Sequence, residues 1–194
     1  YQAMAYSALK RDKEALSAYQ KIVKKDPSLA GPYYNMGIIL KRNGRLEEAI
    51  SNYKRAISLK PDYVQAYNNL GILYKDNEDY ENAITMFTKA KELQPDHQNS
   101  YYNLALIKKE QGQSEEAITL LLKVLDLNPE HNEANYLNCL IILKLGNFKE
   151  GWKYYEYRWK ITPQNKVIWP IQDKPVWAGE KGKRVVLWRE QGIG

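Results

Sequence analysis

Tyr33-Tyr34-Asn35-Met36-Gly37-Ile38-Ile39-Leu40 returns 34 residues later as Tyr67-Asn68-Asn69-Leu70-Gly71-Ile72-Leu73-Tyr74. It returns again as Tyr101-Tyr102-Asn103-Leu104-Ala105-Leu106-Ile107-Lys108. Inside the first copy, apolar side chains recur at the i, i+3, i+4, i+7 spacing of an amphipathic helix. Asn43-Gly44 follows, and Gly112 and Gly146 stand in the same column. A glycine there can end a helix in the left-handed conformation at little cost. A second helical stripe comes next: Leu46, Ala49, Ile50, Tyr53, Ala56 and Ile57. It stops at Lys60-Pro61, because proline disfavours helix in the residue before it. Pro27, Pro61, Pro95, Pro129 and Pro163 keep the same step of 34, as do Ala15, Ala49, Ala83 and Ala117, with Gly151 next in line. Small residues at Gly37 and Ala49 would let the paired helices approach closely.

A helix–turn–helix unit repeating every 34 residues resembles the tetratricopeptide repeat. The resemblance implies an all-α fold, a right-handed superhelical solenoid of helix-turn-helix repeats, each burying its apolar face on its neighbours. Full repeats fall at 30–63, 64–97 and 98–131, after a partial repeat at 1–29. A degenerate repeat at 132–163 places Asn135 and Asn138 where the others carry Tyr and Leu or Met. The solenoid is thus expected to span 1–163. Two departures carry expectations of their own. Glu78 stands in the column of Gly44 and Gly112, so the turn is rearranged or strained, with Asn77 a candidate for its left-handed residue. Lys108 replaces the Leu40 and Tyr74 of its column, which predicts a looser helix contact.

Composition excludes several classes. The 194 residues carry 29 Lys+Arg and 23 Asp+Glu, a net charge of +6 that is too mild to demand nucleic acid. No run approaches the roughly 18 apolar residues of a membrane helix, and no signal peptide is visible. One Cys and two His rule out a disulfide framework and make a poor zinc site. No cofactor, metal, nucleic acid or membrane is therefore expected as a partner, and a cytoplasmic setting is the expectation. His97 and His131 share a column and read as loop residues. Cys139 replaces a Gly or Ala and reads as a small buried side chain.

The binding candidates lie on the first helix of each repeat, the side that lines the concave groove of such solenoids. Asn35, Asn69 and Asn103 are 34 apart, as are Lys41, Lys75 and Lys109. Tyr34, Asn68 and Tyr102 precede the asparagines. Amides offer both donors and acceptors, so the asparagine column could grip the backbone of an extended peptide. Its alternative is local bonding within the repeats. The lysines would attract acidic groups, with a plain solvated face as the favoured alternative. The tyrosines would add rigid contact area. The tetratricopeptide subfamily that clamps acidic chaperone tails would need Lys, Asn and Arg at Tyr34, Ile38, Asn69, Asn99 and Asn103. Only Asn69 fits, so the resemblance does not extend to it.

All 16 Tyr lie between residues 1 and 157, and all five Trp between 152 and 188. Repeat chemistry thus gives way to something else near residue 160. Phe148 to Trp159 scans as an aromatic-rich helix. Arg184-Val185-Val186-Leu187-Trp188-Arg189 reads as a buried strand, and Glu190-Gln191-Gly192-Ile193-Gly194 as a Gly-rich turn. Residues 164–194 are accordingly read as a linker and the first strand of a truncated α/β domain, a short irregular/β tail. Phe148 to Trp159, Pro175 to Gly179 and Glu190 to Gly194 resemble the junction between bacterial tetratricopeptide repeats and a glycosyltransferase-like domain. Such domains are similar to heptosyltransferases and O-linked N-acetylglucosamine transferases, and in the latter an asparagine-lined superhelix holds the protein substrate. The resemblance implies a parent enzyme that uses this groove for substrate choice, while the chain itself offers no catalytic residues. A non-enzymatic scaffold is the alternative, self-associating through repeat ends such as Tyr1–Lys10.

Overall fold

The structure is a computed structural model, and it describes residues 2–157. Among these residues there are ten α-helices and no strand. They are α1 (Gln2–Ala8), α2 (Asp12–Lys25), α3 (Ala30–Arg42), α4 (Leu46–Leu59), α5 (Val64–Asp76), α6 (Tyr80–Leu93), α7 (Gln98–Glu110), α8 (Ser114–Leu127), α9 (Asn132–Lys144) and α10 (Phe148–Tyr154). A 3-10 turn, Tyr155–Tyr157, follows α10. The helix expected to run to Trp159 thus tightens at Tyr155. The expected linker and strand at 164–194 lie outside the described residues.

The boundaries follow from local chemistry that repeats with the sequence. Second helices open on a side-chain contact between the cap residue and the third helical position. Arg11 meets Glu14 at 2.8 Å, Arg45 meets Glu48 at 2.6 Å, and Gln113 meets Glu116 at 2.9 Å. At the same position Asp79 accepts from the Asn82 N–H at 3.3 Å and Asn147 from the Glu150 N–H at 3.4 Å. A carboxylate in the first turn also favours the positive end of the helix dipole. Asp26, Lys60, Gln94 and Asn128 close α2, α4, α6 and α8 outside the helical region, as a following proline requires.

Between the paired helices one column takes positive φ throughout: Lys10 at 55°, Gly44 at 74°, Glu78 at 59°, Gly112 at 76° and Gly146 at 82°. This corrects the expectation for Asn77, which has φ −97°. Glu78 itself adopts the left-handed conformation. The backbone shape of the turn wins over the side-chain preference, because the Asp79 N–H must still reach the Tyr74 carbonyl at 2.9 Å. The Arg45 N–H reaches Leu40 at the same 2.9 Å.

The chain packs as two compact units that divide between Ile107 and Lys108. In the first, Tyr19, Met36, Ile39, Leu40, Ala49, Tyr53, Leu70 and Leu73 form a continuous buried cluster. Close approach depends on two glycines. A Cβ on Gly37 would lie 2.6 Å from the Tyr53 ring, and one on Gly71 would lie 2.7 Å from the Phe87 ring. Real Cβ contacts do not reach that range, so a larger residue would force the helices apart. In the second unit Cys139 stands in the column of Gly37 and Gly71, and Gly151 in the column of Ala49 and Ala83. Cys139 on α9 is buried, its Sγ contacts the Gly151 carbonyl at 3.1 Å, and a Cβ on Gly151 would sit 2.4 Å from Leu143 Cδ2. Lys108 is half-buried and replaces the apolar contact of its column with polar ones. Its ammonium meets Glu116 at 2.8 Å and Gln113 at 3.1 Å.

Candidate functional site

The candidate side chains sit on α3, α5 and α7, and the structure sorts them by burial. Asn68 is 6% exposed and Asn103 is 9% exposed, whereas Tyr34, Asn35, Asn69 and Tyr102 are half-buried. The amides are not independent. Asn69 Nδ2 donates to the Tyr34 hydroxyl at 3.2 Å, and Asn103 Nδ2 donates to Asn68 Oδ1 at 3.4 Å. Both links span 35 residues, one more than the repeat, so each joins the asparagine of one repeat to the column before it in the previous repeat. Asn103 also donates to the Asn99 carbonyl at 2.9 Å. Asn35 makes no side-chain hydrogen bond among the described residues.

Tyr34 anchors a tyrosine cluster. Its ring lies 4.8 Å from that of Tyr63 and 5.9 Å from that of Tyr53. Burial pushes the Tyr34 hydroxyl above the ordinary phenol value, with the Asn69 bond opposing. Tyr53 is raised further, first by burial, then by Tyr34, with Asn69 again opposing. Its hydroxyl is buried and has no hydrogen-bond partner of good geometry. All of these groups stay neutral near pH 7, so the cluster offers hydroxyls and amides rather than charge.

The lysine column is less organised. Lys75 pairs with its own neighbour Asp76 at 3.2 Å, Lys41 is half-buried without an ion-pair partner among the described residues, and Lys109 is exposed. At the equivalent position of the next repeat Leu143 packs on Gly151 instead.

The two histidines act at helix starts. His131 Nδ1 accepts from the Ala134 N–H at 3.3 Å and lies 3.3 Å from Glu133. His97 Nδ1 lies 2.7 Å from the hydroxyl of fully buried Ser100, and burial holds its pKa below the ordinary imidazole value, with Asp96 opposing. Among the described residues no group of His, Cys, Asp and Glu could hold a metal ion, and no helix is long and apolar enough to cross a membrane. The 35-residue bonds join neighbouring columns, which a 34-residue step keeps apart. The signal in the sequence is the adjacency of the two columns, which sets Asn69 one step beyond Tyr34 and Asn103 one step beyond Asn68.

Family models described as tetratricopeptide repeat match residues 1–28, 18–51, 62–130 and 102–165, and one described as TPR repeat matches 39–78. The chain belongs to the tetratricopeptide repeat family. Solved structures agree on the fold. A crystal structure of MamA aligns with a TM-score of 0.75 at 22% identity, covering 82% of this chain and 94% of that one. YrrB, described as a TPR protein with an unusual peptide-binding site, aligns at 0.68 and 20% identity, covering 84% of each chain. PilF of Pseudomonas aeruginosa aligns at 0.73 and 19% identity, covering 80% of this chain and 71% of that one. Comparison with curated protein sequences finds no match. For this tetratricopeptide protein these likenesses speak to fold.

Proposed function

We propose that this chain is a protein-interaction module that binds an extended polypeptide along the first-helix face of its repeats. The observation that carries the proposal is the recurring 35-residue bond, which holds Asn69 and Asn103 in register from the preceding repeat. Groups fixed before binding lose little entropy on binding. Asn35 keeps its whole amide for a ligand, and the carbonyl oxygens of Asn69 and Asn103 remain as acceptors for backbone N–H groups. Tyr34 and Tyr102 supply flanking contact area, Lys41 a nearby positive charge, and Lys75 and Lys109 outlying ones. The likeness to YrrB, whose description names a peptide-binding site, agrees with this class of ligand.

The cleanest test uses Asn35→Ala, because that side chain holds no repeat together. Peptide arrays should identify ligands of the wild-type chain, and Asn35→Ala should weaken them without moving the melting temperature. Undiminished binding by Asn35→Ala together with Lys41→Ala would refute the assignment. The finer reading, a substrate-recognition part of a glycosyltransferase-like protein, rests on the sequence of residues 148–194. It is tested by assaying the full-length gene product for sugar transfer to peptides captured by this chain.

A scaffold that self-associates is the second reading. It is favoured by the 62% exposed Met4 and 68% exposed Leu9 at the α1 end. Light scattering over a concentration series separates the two, since a strict monomer eliminates self-assembly.

A further inference from the structure

A second surface of the first unit lies on the second-helix side. Ile57, Leu70, Met86, Tyr67 and Tyr74 line an open recess of about 230 Å3 between α4, α5 and α6, with Lys54 and Ser58 at its α4 edge. Its lining is almost wholly apolar. Ligand pockets for drug-sized molecules run to roughly 300–1,000 Å3, so this recess suits a single side chain.

The charge beside the recess is set by one substitution in the repeat pattern. Lys89 pairs with Glu92 at 3.3 Å, and Lys123 pairs with Asp126 at 3.0 Å, in both cases three residues apart on a second helix. The same columns in α4 carry Arg55 and Ser58. Ser58 donates to the Arg55 carbonyl at 2.8 Å and offers no negative charge. Arg55 rests instead over the Tyr33 ring at 5.8 Å, and Lys54 over the Tyr74 ring at 5.7 Å. Both cations are exposed, and neither has a carboxylate partner among the described residues. Loss of the acid leaves Arg55 uncompensated next to Lys54, the cation that edges the apolar hollow.

We propose that this recess is a docking site for an acidic polypeptide segment bearing one bulky apolar side chain. The apolar side chain fills the hollow over Leu70 and Met86, and flanking carboxylates meet Lys54 and Arg55. The assignment is independent of the first-helix face. A nucleic acid would match the cations but leave the apolar floor without a partner of its own kind, so a peptide is favoured.

The test measures fluorescence anisotropy of labelled eight-residue peptides of Asp and Glu with a central Phe or Leu, titrated with the whole chain. Binding should fall about tenfold in Lys54→Glu/Arg55→Glu, and by a similar factor when the central residue becomes Ser. Asn35→Ala should leave it unchanged. Lys54→Gln/Arg55→Gln serves if charge reversal disturbs the helix content seen by circular dichroism. The assignment is overturned by any of four results: no peptide binding, equal binding by the charge variants, equal binding of all-acidic peptides lacking the apolar residue, or stronger binding of a single-stranded oligonucleotide of equal charge.

Discussion

The side-chain amide of Asn69 donates to the hydroxyl of Tyr34 at 3.2 Å, joining α5 to α3 across a step one residue longer than the repeat. A partly buried neutral bond of this kind contributes about 1 kcal/mol. Asn69→Ala and Tyr34→Phe should each lower stability by about that amount in urea unfolding. The double variant should lose less than the sum, because the two changes remove one shared interaction. Full additivity would show that the bond does not link the repeats.

Glu78 takes φ 59° in a column otherwise held by glycine and Lys10. The left-handed region costs an ordinary L-residue roughly 1–2 kcal/mol, part of which glycine gives back through its freer unfolded chain. Glu78→Gly should therefore raise stability by about 0.5–1 kcal/mol, read as a higher urea midpoint at unchanged slope.

Tyr53 and Phe87 occupy one column and are both fully buried. Of the two, Tyr53 carries a hydroxyl, and it has no hydrogen-bond partner of good geometry. Removing an unsatisfied buried hydroxyl without changing ring shape should leave stability equal or raise it by about 1 kcal/mol. Thermal unfolding of Tyr53→Phe checks this, and a clear loss would mean that Tyr53 and Asn69 are bonded in solution.

His97 is held below the ordinary imidazole value by burial. The unfolded chain binds the proton more readily, so the contribution is complete above an imidazole's ordinary pKa of about 6.5. It is lost as pH falls through the lower folded value. Stability measured in urea should decline as pH falls below about 6.5, and His97→Gln should flatten that decline.

Much of this fold could be read directly. Proline columns marked the ends of second helices, and alanine and glycine columns marked close approaches, because one period governs both sequence and contacts. The turn at Glu78 was harder, since a left-handed residue is chosen by backbone closure and any side chain can be forced into it. Asn138, buried with an unpartnered Oδ1 where sister repeats carry Met36, Leu70 and Leu104, was visible as a departure, but its burial was not. In the candidate site the positions were legible and their couplings were not. A pairing of Asn103 with Asn68 crosses columns that a 34-residue alignment keeps apart.

The glycine contacts set the grain at which this protein can be recombined. Gly37 accepts the ring of Tyr53, Gly71 accepts Phe87, and on the last pair the gap is supplied by Gly151 facing Cys139. A chimera that joined α9 to a copy of α4 would drive Cys139 into a tyrosine ring. One that joined α3 to a copy of α10 would put Gly151 where Ala49 stands and take a methyl group out of the contact. Modules 30–63 and 64–97, by contrast, can exchange places, because Tyr34 and Asn68 each present an oxygen to the asparagine of the next repeat. The helix pair, cut at its prolines, is the interchangeable part.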